Sequence, residues 1–97
     1  MIDVFDAAAM IAKKNNQKLY RERIIEVQST RLKEAEQELK HAYYRNGHTH
    51  SKVFGTDLTR KEFEQQINYV REKILKNQEV MEQIEKELNY MLTTLIV

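Results

Sequence analysis

The chain contains no proline, and its only two glycines, Gly47 and Gly55, fall within one short stretch. Everything before and after that stretch lacks both helix breakers, so the backbone has one region in which to reverse direction. A sandwich or barrel needs Gly and Pro at many turns. The expectation is all-α: two long helices joined by a loop, a coiled-coil-like antiparallel hairpin. Helix 1 is expected over about residues 3–46, the loop over 47–58 and helix 2 over about 59–95, in one domain spanning 1–97. Gly47 is read as the left-handed residue that closes helix 1.

Helix 2 has a sharp beginning. Thr59 and Glu62 have the spacing of a capping box, in which each side chain accepts a hydrogen bond from the other's backbone N–H. Leu58 and Phe63 flank that cap at the positions of a hydrophobic staple. Beyond it Phe63, Ile67, Val70, Ile74, Met81, Ile84, Leu88, Met91 and Leu95 step by four and three, with one gap at Asn77. This is a heptad seam, which supercoils left-handedly against whatever packs on it. A single Asn in such a seam either fixes register or sits tolerated beside water. In a closed hairpin Asn77 is expected to hydrogen-bond the amide of Gln28, or to share a partner chain's polar group with it, and so fix the register.

Helix 1 carries a weaker seam at Val4, Ala7, Ile11, Ile25, Leu32, Ala35, Leu39 and Ala42, interrupted by Lys14, Lys18, Arg21 and Gln28. Asp3 can cap its start, and Asp6 favours the positive end of the dipole. The wholly polar run Lys13–Lys18 is the expected place for a bend, and residues 3–12 either continue the helix or form a separate one. Antiparallel closure brings Leu39 near Phe63 and Ile67, Leu32 near Val70 and Ile74, and Ile11 near Met91 and Leu95. Opposite Ile84 and Leu88, helix 1 offers Lys18 and Arg21, which cover apolar surface only with their stems. Helix 2 has further apolar residues off the seam, Leu75, Val80, Leu92 and Ile96. A two-helix chain of this size buries too little for comfort, so the surplus is expected to meet another chain in a four-helix bundle.

The chemistry on offer is sparse. Lys and Arg number 16 against 15 Asp and Glu, so no strong field steers the chain to nucleic acid. Absence of cysteine removes disulfides and thiol chemistry. No apolar run is long enough to span a bilayer, and no signal peptide begins the sequence, so no membrane insertion is expected and the location is cytoplasmic, or exported with a partner. His48 and His50, with His41 two turns earlier, are the imidazoles a metal would use, but only Asp57 lies nearby; they are read as solvated loop histidines. Met1, Met10, Met81 and Met91 belong to the core or a partner groove. No phosphate loop, nucleophile elbow or paired-carboxylate motif occurs, so no catalytic, metal or cofactor site is expected. Lys40, Tyr43, Tyr44, Arg45 and Lys52 could stack and bind single-stranded nucleic acid, though a helix end packed under its loop explains them better.

The layout resembles the small Trp-x-Gly helical-hairpin proteins of type VII secretion and the helical accessory proteins of LXG toxins. The matching turn residues are Val53, Phe54 and Gly55, and the similarity of layout covers the whole chain. Val53 stands where those proteins have Trp. Their export signal, Tyr followed four residues on by Asp or Glu, is absent, since Tyr90 is followed by Thr94. The resemblance therefore implies a non-signal partner or adaptor from a bacterium.

The expected function is a non-enzymatic helical interaction module (adaptor, targeting factor or chaperone) that pairs with a helical partner or with itself. Its expected interface residues are Ile67, Val70, Ile74, Met81, Ile84 and Leu88 within the hairpin, with Tyr69, Leu75, Leu92 and Ile96 outward. The alternative is a small regulator or inhibitor, of mobile-element type, docking on an enzyme or nucleic-acid-binding protein through its charged faces.

Overall fold

A computed structural model describes residues 4–94. The fold is a helical hairpin: helix α1 (Val4–Lys40), strand β1 (Thr49–Ser51), strand β2 (Thr56–Leu58) and helix α2 (Arg60–Thr94). The expected positions Met1, Asp3, Leu95 and Ile96 lie outside the described residues. The chain divides into two units, residues 26–75 and residues 1–25 with 76–97.

The α2 boundary forms as the capping box requires. The backbone N–H of Thr59 donates to Glu62 Oε1 at 2.9 Å, and the N–H of Glu62 donates to Thr59 Oγ1 at 3.2 Å. The staple residues Leu58 and Phe63 are both buried.

Helix α1 ends earlier than expected, at Lys40 rather than near residue 46. Asn46 and Gly47 both take positive φ, 53° and 77°. Two consecutive left-handed residues make the tight turn of a β-hairpin, with a twist matching the flanking strands. Arg45 and His48 exchange both backbone hydrogen bonds across that turn, at 2.7 and 3.1 Å. The chain must be extended on either side, so the helix closes before it with bonds from His41 to Gln37 and from Ala42 to Leu39. Gly47 is a turn residue, not the end of the helix.

The expected loop 47–58 is likewise ordered as a sheet. β1 and β2 pair antiparallel, Thr49 with Leu58, His50 with Asp57 and Ser51 with Thr56. Gly55, at φ 70°, closes the turn between them by donating its N–H to the carbonyl of Ser51 at 2.8 Å.

In unit 26–75 the core is Ala35, Leu58, Phe63 and Ile67, with Leu32, Leu39, Val53 and Phe54 packed against it. Leu39 thus packs against the cluster that holds Phe63 and Ile67, in line with antiparallel closure. Phe54 meets Phe63 edge to face, with centroids 5.8 Å apart, and the Arg31 guanidinium lies 5.3 Å from the Phe54 ring. Glu38 ties the sheet to α1. Its carboxylate accepts the Ser51 hydroxyl at 2.5 Å and the Lys52 N–H at 2.8 Å, while Ser51 Oγ accepts the Phe54 N–H at 3.0 Å.

The other unit buries Ala7, Ile84 and Leu88, with Ile11, Ile25, Met81 and Met91 partly covered. The polar run Lys13–Lys18 does not break α1. Two of its lysines reach carboxylates on α2, Lys14 to Glu87 and Lys18 to Glu85 at 3.6 Å. Arg21 donates to the amide oxygen of Asn77 at 2.7 Å. Cations at seam positions are thereby paired instead of forcing a bend. Val4, a seam position by spacing, is exposed.

Candidate interaction surface

The buried seam of α2 is filled as its spacing requires. Ile67, Val70, Ile74, Ile84 and Leu88 are buried within the chain and Met81 is half-buried, so none of them offers a free face. Tyr69, Leu75 and Leu92 are exposed. They do not form one stripe: Tyr69 and Leu75 are six positions apart, roughly 120° around an α-helix. Tyr69 instead holds its neighbour, with Lys73 Nζ 4.7 Å from its ring.

The organised apolar surface lies elsewhere. On the first half of α1, Phe5, Leu19 and Tyr20 are 83%, 61% and 64% exposed. Phe5, Ala12 and Leu19 are spaced by seven, with Ala9, Asn16 and Arg23 each four residues beyond. These two rows define a second heptad seam on the side of the helix away from Ala7. Ala8, Ala9, Ala12 and Asn16 are exposed along it. An open groove of about 620 Å³ runs beside it, lined by Ala9, Ala12, Lys13, Asn16, Gln17 and Tyr20. The surplus apolar surface therefore belongs to α1 as well as α2. The seven-residue spacing was available in the sequence, but one seam per helix hides a second one in another phase.

The loop histidines are paired locally. His50 Nδ1 lies 2.8 Å from Asp57 Oδ1 across the sheet, and His48 Nδ1 lies 3.0 Å from the carbonyl of Asn46. Among the described residues no group of three His, Cys, Asp or Glu could hold a metal ion. Tyr43 is exposed, as are Lys40, Arg45 and Lys52, while Tyr44 is partly buried. A cleft of about 670 Å³ opens beside Leu39, Lys40, Tyr44, Arg60, Ile67 and Arg71. Its arginines are engaged, Arg60 with Glu64 at 3.3 Å and Arg71 with Glu36 at 2.8 Å, and the Tyr44 hydroxyl is buried without a hydrogen-bond partner. Val53, Phe54 and Gly55 form the β1–β2 turn, with Phe54 serving the core rather than a partner.

Two carboxylates are perturbed. Glu62 is held below the usual carboxylate range, first by the backbone N–H of Thr59 and then by its hydroxyl. Glu87 is lowered chiefly by its hydrogen bond from Lys14, with Gln83 adding to it. Glu62 caps the start of α2, and Glu87 pairs with Lys14 beside an open groove that also takes in Lys86, Tyr90 and Met91.

No family model, no curated protein and no solved structure matches the chain. No helix of the described residues is long and apolar enough to cross a membrane.

Proposed function

We propose that this chain is a non-enzymatic interaction module that works by laying an apolar helix face against a helical partner. The observation that carries this reading is the second heptad seam of α1, where Phe5, Leu19 and Tyr20 are mostly exposed on a helix whose other face is already used. Large apolar residues aligned at heptad spacing favour helix-in-helix recognition. With the resemblance carried by Val53, Phe54 and Gly55, the role is that of an adaptor, targeting factor or chaperone, of the kind that accompanies a secreted toxin.

The test is association under salt. Apolar pairing is unscreened, so partners retained by the wild-type chain from its native host should stay bound at 0.5 M salt. The double variant Leu19→Asp, Tyr20→Asp, checked for unchanged helicity, should lose them. Partners that elute from wild type by 0.5 M salt, or that bind the double variant equally well, would instead favour the regulator that docks through charge.

A further inference from the structure

We infer that the outward seam of α1 is occupied by a second copy of this chain, paired antiparallel about a two-fold axis near residue 14. The inference rests on the helix-pairing reading above and names its partner.

The first argument is shape. The seam is bulky at Leu19 and small at Ala9 and Ala12, with Tyr20 and Ala8 on its two flanks, and all five are exposed. In an antiparallel pair centred near residue 14, Leu19 of one copy falls opposite Ala9 of the other and Ala12 opposite Asn16, with Tyr20 on the same flank as Lys13. Phe5 then falls opposite Arg23, whose guanidinium can cover the ring. Leu19 of each copy enters a small-residue notch, which is knob-into-hole packing. Parallel pairing would set Leu19 on Leu19 and Ala12 on Ala12, holding the helices apart over a void. An isologous interface needs a patch complementary to itself, and this seam has that pattern.

The second argument is area. Phe5 and Tyr20, at 83% and 64% exposure, leave about 300 Å² of ring surface. Leu19 and the three alanines bring the patch to about 500 Å² per copy, so two copies bury at most about 1,000 Å², the size of a weak, transient interface. Such a dimer forms reversibly with concentration.

Charge supplies a signature. Lys13 borders the seam close to the axis, so the dimer brings two lysines together. Added salt screens that repulsion, and dimerisation should hold or strengthen from 0.05 to 0.5 M salt.

Sedimentation equilibrium on the full chain should show a monomer–dimer equilibrium at micromolar concentration. Leu19→Asp should raise its dissociation constant at least tenfold with helicity unchanged. The cysteine-free chain permits a second readout. Asn16→Cys, with its two sites only a few residues from the axis, should be joined across the dimer by a short bis-maleimide. Phe5→Cys should not be, because antiparallel pairing separates its two copies by about 27 Å along the helix. Cross-linking of both variants would overturn the antiparallel arrangement. A wild-type chain that stays monomeric at 100 μM would overturn the second copy as partner. If host partners are still lost from the double Asp variant in that case, the helix-pairing function stands without it.

Discussion

Arg21 donates a 2.7 Å hydrogen bond to the side-chain oxygen of Asn77, joining a cation on α1 to the one polar gap in the apolar seam of α2. Asn77 is thus a receptor for a charged group. The expected partner, Gln28, has its Oε1 buried without a hydrogen-bond partner. The difference follows from reach, since a long guanidinium can run its stem along the seam and still present donors at its tip.

Replacing Asn77 by Leu should therefore lower stability, by about 1–2 kcal/mol, because a partly buried charge loses an acceptor. The double variant Arg21→Met, Asn77→Leu should recover at least the wild-type value, since an apolar pair of similar volume replaces a polar one. Chemical denaturation of both variants is the measurement. A single Asn77→Leu variant more stable than wild type would show that Arg21 finds ample water.

Glu38 is the joint between α1 and the sheet. Glu38→Ala leaves the fully buried Ser51 hydroxyl and the Lys52 N–H without their acceptor. The expected loss is about 1–3 kcal/mol. Amide exchange of Lys52 and Phe54 should quicken more than that of residues in the middle of α2. Equal acceleration throughout would mean the joint is incidental.

The lowered Glu62 has a defined pH consequence. Its folded pKa lies below its unfolded one, so its stabilisation is complete above the ordinary carboxylate value and is lost as pH falls through the folded value. Glu62→Gln keeps an oxygen acceptor for Thr59 but cannot titrate. Thermal melts from pH 7 down to 3 should show a shallower acid decline for Glu62→Gln than for wild type. Parallel curves would place the acid sensitivity elsewhere, with Glu87 and its Lys14 partner the next candidate.

Tyr44 runs against the usual direction of mutational damage. Its hydroxyl is buried and unpaired, so Tyr44→Phe removes a desolvated group while keeping the ring. The melting temperature should hold or rise, with a gain of up to about 1 kcal/mol. A clear loss would reveal an acceptor or bridging water at that oxygen.

These residues also show where sequence reasoning holds and where it stops. The start of α2 is legible because Leu58, Thr59, Glu62 and Phe63 act within two turns of one another and need no distant partner. The buried face of α2 is legible for the same reason, since its periodicity is local. The end of α1 is not, because Gly47 at positive φ serves a helix terminus and a hairpin turn equally well. Asn46 before it tips the balance, as Asn-Gly is the preferred pair for two successive left-handed residues. Helix α1 runs on through Lys13–Lys18, where Lys14 and Lys18 meet Glu87 and Glu85, remote in sequence, so local polarity misleads there. The outward seam at Phe5, Ala12 and Leu19 is obscured because a single amphipathic face is the ordinary expectation for a helix in a hairpin.

The sheet-bearing turn has a kinetic consequence. Glu38 and Ser51 are separated by 13 positions, Glu36 and Arg71 by 35, and Arg21 and Asn77 by 56. Closing a loop costs entropy that grows with its length, yet each of these closures shortens the one that follows. The Asn46–Gly47 reversal and the Glu38 joint can form first, after which the helices zip away from the turn one heptad at a time. Opening that retraced this path would part Lys14 from Glu87 before Phe54 leaves Phe63.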